Sequence, residues 1–214
     1  MLSSVLTHPE EAPAFAELRP DPLADGIEPE ERIIVCGISW DRYLAFDKKL
    51  GDDRSGPRLY YLEGDLEIMT TSNEHERIKE WIGDFLADYF FEAGIEIMPR
   101  GQATMRLALK QAGAEPDKSW CIGEEKEFPD LVLEIALTSG IKKLDIYRRF
   151  KVPEVWFWRR NKLEIFALGE MAYEPLRKSR LLPALDVALI ERCVTMHSWQ
   201  EARRAFRAGL AASK

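Results

Sequence analysis

The chain has 214 residues, of which 46% are hydrophobic and 31% charged, enough for one substantial core and short for two. Its longest apolar runs fall far below the roughly 18 residues of a membrane span, and no signal peptide is visible, which argues against a membrane-spanning or secreted protein. The formal net charge of −7 argues against a generally basic, phosphate-binding surface.

Five prolines (Pro9, Pro13, Pro20, Pro22, Pro29) and scattered acids erase any helical or strand period from the start of the chain. Residues 1–31 therefore read as a flexible leader before a single domain over 32–214. Ser39 is placed to cap a short helix, WDRYLAFDKKL, with Gly51 just past its end. RLYYLEGDLEIMT reads as a β-hairpin turning at Gly64-Asp65. A long helix is expected from about Asn73 to Glu92. Ser72 or Asn73 caps it, Glu74 and Glu76 suit its first turn and Gly94 its end. Ile78, Trp81, Ile82, Phe85, Leu86, Tyr89 and Phe90 form its buried stripe.

The period then changes to that of strands at Ile95–Met98, Ala103–Leu109 and Ser119–Ile122. Leu131–Leu137 is apolar almost throughout, as a strand buried on both faces would be. A helix over Ile141–Phe150 is stopped by the Val152-Pro153 step. Strands over Glu154–Trp158, Leu163–Leu168 and Met171–Pro175 follow, and a final helix covers Ser198–Leu210. Trp156 and Trp158 read as core or dimer contacts. The order describes an α/β domain around a mixed sheet. Cys36, Cys121 and Cys193 are widely spaced and form no paired-ligand pattern, which points to a reducing cytoplasm and away from disulfides or structural zinc.

Three acids, Asp117, Asp130 and Glu134, sit at or inside the two strand-like runs that precede the lysine-bearing helix. Asp130 and Glu134 share a face of one strand but lie ~13 Å apart, too far to share one ion. If the two strands pair antiparallel, Asp117 at the start of the first lies beside Glu134, and these two form the candidate metal pair. Asp130, after Pro129, is as suited to orienting a loop as to catalysis. Hard oxygen donors favour Mg²⁺, with Mn²⁺ as the alternative. A metal there would polarise a phosphoryl oxygen and activate water. A lysine two residues beyond Glu134 would be well placed to stabilise the developing charge, but that residue is Ala136. Lys143 in the next helix is positioned to reach back instead, with Lys142 a close second. Residues 142–162 carry eight basic side chains against two acids. Of these, Lys142, Arg148 and Arg149 are expected phosphate contacts; a solvated helix face is the plainer explanation.

Taken together, YLEGDLEIM, Glu74-His75, EPD at 115–117, PDLVLEI at 129–135 and KLDIYRRFKVPEVWFW at 143–158 resemble the Uma family of restriction endonucleases, a branch of the PD-(D/E)XK nuclease superfamily. The resemblance spans roughly residues 35–195. It implies a restriction-endonuclease-like αβββαβ core, a mixed β-sheet flanked by helices with an added N-terminal β-hairpin. It also implies that Asp117 matches the proline-aspartate position and Glu134 the acid of the (D/E)XK element, and that Glu74, with His75 beside it, matches the acid region of the first helix. Members sometimes supply the lysine from the following helix, a pattern that Lys143 fits.

Three functions stay open on the sequence. The first is a Mg²⁺-dependent endonuclease acting on DNA as a homodimer. The second is a catalytically weak nuclease fold that binds nucleic acid or a protein. The third is an oligomeric interaction module built on the aromatic strand and the last helix.

Overall fold

The computed structural model describes residues 31–51, 56–101, 103–137 and 142–212; the expected leader lies almost wholly outside them. Strand β1 (Arg32–Val35) leads into α1 (Trp40–Leu50), where the Ser39 hydroxyl accepts the Arg42 N–H at 3.3 Å. The hairpin consists of β2 (Arg58–Leu62) and β3 (Asp65–Met69). Its turn is Glu63-Gly64, both at positive φ, one residue earlier than the pattern suggests. That conformation carries the twist that paired strands need. Helix α2 (Asn73–Ala93) is capped by the Ser72 hydroxyl, which accepts the His75 N–H at 3.2 Å, and it ends on left-handed Gly94.

Then come β4 (Ile97–Pro99), β5 (Met105–Leu107), a 3-10 turn at Ala108–Lys110, β6 (Ala112–Ala114), β7 (Lys118–Ile122) and β8 (Leu131–Ile135). Helix α3 (Lys143–Phe150) is followed by β9 (Glu154–Arg159), β10 (Lys162–Leu168), β11 (Tyr173–Leu176), α4 (Val187–Val194) and α5 (Trp199–Ala212).

These strands form two sheets. One has the order β1-β3-β2-β6-β5 and the other β11-β10-β9-β8-β7-β4. In the second, only the β8–β9 pair is parallel, so the sheet is mixed. The succession α2, β4, β7, β8, α3, β9 supplies the expected αβββαβ core. The added hairpin is widened by β1, β5 and β6 into a five-stranded sheet. Strand β6 has no propensity signal in Ala112-Gly113-Ala114. It forms because it pairs with both β2 and β5. A Cβ at Gly113 would collide with the Tyr43 ring, so only glycine permits that approach. Helix α4, not evident from periodicity, has eight residues and is capped by Asp186, which accepts the Ala188 N–H at 3.0 Å.

Side-chain alternation along β8 decides what the site faces. Leu131, Leu133 and Ile135 join Trp156 and Trp158 in the core beneath α2, α4 and α5. Val132 points the other way, into a second core shared by α3 and the five-stranded sheet. Glu134, two residues on, is directed into this inter-sheet layer and is fully buried there.

Candidate active site

Strands β7 and β8 pair antiparallel with Lys118 opposite Leu133, a register that carries Asp117 alongside Glu134. One oxygen of Asp117, Oδ2, accepts the Ile135 N–H at 2.6 Å. The other, Oδ1, receives Arg58 Nη1 at 2.5 Å and His75 Nε2 at 2.7 Å. Glu134 Oε2 accepts from Lys143 Nζ at 2.8 Å and lies 3.0 Å from the Tyr60 hydroxyl; Oε1 accepts from the Tyr147 hydroxyl. Asp117, Glu134, His75, Tyr60 and Tyr147 are all fully buried, and Arg58 and Lys143 nearly so. Five segments thus converge: Arg58 and Tyr60 share one face of β2, His75 lies in the first turn of α2, Asp117 immediately precedes β7, Glu134 is the last residue but one of β8, and Lys143 and Tyr147 lie one turn apart on α3.

Burying two carboxylates side by side is costly unless each is paired, and here the pairing is unequal. Burial pushes Asp117 upward, but Arg58 and His75 outweigh it and hold its carboxyl well below the ordinary range. For Glu134, burial outweighs the opposing pull of Lys143, and the Asp117 charge adds to it, so its carboxyl is raised. Tyr60 and Tyr147 are pushed far up, first by burial and then by Glu134, and so remain hydroxyl donors. Asp117 is a permanent anion, whereas its neighbour can take up a proton. Carboxyl groups driven apart in this way are a frequent property of catalytic sites.

The other sequence candidates lie elsewhere. Asp130, at the opposite end of β8, accepts the Ile122 N–H at 2.7 Å and Lys126 Nζ at 2.6 Å, which fixes the β7–β8 connection. Glu74 is turned toward Arg77, with contacts of 2.8 and 2.5 Å. Adjacent helical residues point about 100° apart, and it is His75 that meets Asp117. Arg149 is held by Glu63 at 2.6 Å and by the Lys110 carbonyl. Arg148 is exposed, 3.9 Å from Asp145, and Lys142 is exposed at the start of α3.

Arg58, Tyr60 and Tyr147 join the site without being among the residues expected from the sequence. Tyr147 carries a local signal, since it stands four residues after Lys143 and so shares its helix face. Arg58 and Tyr60 alternate correctly on β2, but nothing in the sequence pairs that hairpin with β7.

Residues 40–197 match the model of the Uma2 family, described as "Putative restriction endonuclease". The chain belongs to this family. No protein of curated function matches it. Among solved structures, a "putative nuclease belonging to DUF820" from Anabaena variabilis is similar at 14% identity and a TM-score of 0.48. The match covers 79% of this chain and 99% of that one.

Proposed function

We propose that this Uma2-family protein is a Mg²⁺-dependent endonuclease, with Mn²⁺ able to substitute, that hydrolyses phosphodiester bonds in DNA. The observation that carries this reading is the meeting of Asp117 and Glu134 across β7 and β8, with Lys143 2.8 Å from Glu134. The donor chemistry fits a hard dication: adjacent carboxylates offer oxygen ligands and leave further positions to water and phosphate.

Asp117 and Glu134 would hold the metal. When bound, it supplies Lewis-acid polarisation of the phosphoryl oxygen and a water of lowered pKa. The remaining work falls to the chain. Lys143, relieved of Glu134, offers an ammonium to the charge developing on the phosphoryl oxygens. Tyr60 and Tyr147 keep Glu134 oriented by hydrogen bonds. His75 at Oδ1 and the Ile135 N–H at Oδ2 fix the rotamer of Asp117. The exposed Lys142 and Arg148 would contact the DNA backbone. Cutting both strands of a duplex fits a homodimer working in the cytoplasm.

A second reading, a weak or inactive nuclease fold that binds nucleic acid or a partner protein, is favoured by one observation. Every oxygen of Asp117 and Glu134 already accepts a hydrogen bond from the chain itself. The test is plasmid nicking with Mg²⁺ or Mn²⁺, comparing wild type with Asp117→Asn/Glu134→Gln after far-UV circular dichroism has shown the variant folded. Nicking that requires metal and disappears in the variant supports the nuclease. DNA retention without nicking at either metal supports the second reading. Nicking that survives the double substitution removes these two acids from the site.

A further inference from the structure

Arg58 is a buried cation that no local pattern announces. Its side chain is 7% exposed, and its Nη1 lies 2.5 Å from Asp117 Oδ1, one of the carboxylate oxygens that would hold a metal. The same nitrogen donates to the Pro116 carbonyl at 3.2 Å. Its other terminal nitrogen, Nη2, reaches Glu76 Oε1 at 3.4 Å, and the Glu76 side chain is 41% exposed. Glu76 is also held by Lys79. Arg58 therefore bridges a buried acid to a surface acid. Arg58 also lines an open pocket of about 350 Å³, together with Gly56, Pro57, Met69, Thr70 and Thr71.

We propose that Arg58 is a built-in counter-cation that must leave Asp117 when a metal binds, and that Glu76 receives it. The inference rests on the metal-dependent reading above. Without metal, the guanidinium neutralises Asp117 and makes its burial tolerable. A dication and a guanidinium at hydrogen-bond distance from one oxygen repel strongly at the low effective dielectric of a buried site, so the two compete. Glu76 lies one guanidinium width away and half in solvent, so it offers the displaced charge a partner without burying it anew. Arg58 is thus a positioning residue: it sets the affinity of the site for metal through Asp117.

The test is calorimetric titration of MgCl₂ and of MnCl₂ into the full chain without DNA. Wild type is compared with Arg58→Met, Glu76→Gln and the double variant, each checked for a cooperative unfolding transition. Arg58→Met should bind metal about tenfold tighter or more, because the competitor is gone. Glu76→Gln should bind several-fold more weakly. In the double variant the second substitution should have no further effect, since no guanidinium is left to receive. If Arg58→Met does not fold, Arg58→Gln, which keeps a donor toward Asp117, replaces it.

Arg58 variants that fold and bind metal no more tightly than wild type overturn the counter-cation role. Effects that simply add in the double variant overturn the transfer to Glu76, because a distant charge effect would persist without Arg58. Absence of binding in every protein, Arg58→Met included, overturns the metal-dependent reading as well, and so separates the two failures.

Discussion

Replacing Lys143 with methionine in metal-free protein removes the one ammonium on Glu134 and leaves a fully buried carboxyl with only hydroxyl donors. Lys143 Nζ lies 2.8 Å from Glu134 Oε2 and 3.6 Å from the Tyr60 ring centroid. Breaking such a pair costs about 3–5 kcal/mol when the remaining charge must stay buried, and the ring contact adds about 1 kcal/mol. Glu134 can escape the larger cost by remaining protonated, so the loss depends on pH.

The folded-state carboxyl is raised in the wild type by burial despite Lys143, and without Lys143 it must rise further. Above the unfolded carboxyl value, a raised group lowers stability as pH increases, until pH passes the folded value. Wild type and variant therefore lose stability in parallel at first. Their gap opens only above the wild-type value, at about 1.4 kcal/mol per pH unit. At the acid end, where the carboxyl is protonated in both proteins, the variant should lose only about 1 kcal/mol from the ring contact; toward the alkaline end the loss should grow, up to about 4–6 kcal/mol once breaking the pair is added. For a chain of this size, at about 2–4 °C per kcal/mol, the gap in melting temperature should widen from a few degrees to roughly 10 °C. Thermal unfolding in EDTA at pH 5, 6, 7 and 8 measures it. A gap that stays constant across this range would refute the buried Glu134–Lys143 pair and the proton uptake assigned to Glu134.

Asp130 should behave differently from the acids of the cluster. Asp130→Asn keeps an acceptor for the Ile122 N–H and loses only a partly exposed pair with Lys126, so stability should fall by less than about 1 kcal/mol. Metal-dependent nicking should be unchanged, and a loss as large as that of Asp117→Asn would place Asp130 in the chemistry. Lys142→Ala/Arg148→Ala should weaken DNA binding across all sequences and reduce the dependence of log K on log salt by about one to two counterions. Electrophoretic mobility shifts at several salt concentrations check this, and an unchanged slope would mean that these side chains contact no phosphate.

Much of this site is written locally. A glutamate inside the near-continuous apolar run Leu131–Leu137 has to be partnered, and strand alternation alone sets its face opposite that of Leu133 and Ile135. Antiparallel pairing of β7 with β8 then brings Asp117 to Glu134 and sends Asp130 to the far end, purely by register. Ser39, Ser72 and Gly94 mark helix ends because capping depends on a few neighbouring residues. Lys143 was within reach of the same reasoning, as the first residue of the helix that follows β8.

The rest required the tertiary structure. Nothing local distinguishes Arg58 and Tyr60 from other alternating residues of a hairpin, and they reach the acids only because the five-stranded sheet packs over β8 and α3. Between Glu74 and His75 the helix start decides nothing; the rotation of α2 against β7 does. Strand β6 exists through pairing on both edges and a glycine that lets Tyr43 approach, not through propensity. Periodicity and capping are properties of a few consecutive residues, so the chain by itself settled the core strands and the two acids. Which cations meet those acids is a property of how distant segments pack, and only the folded structure decides it.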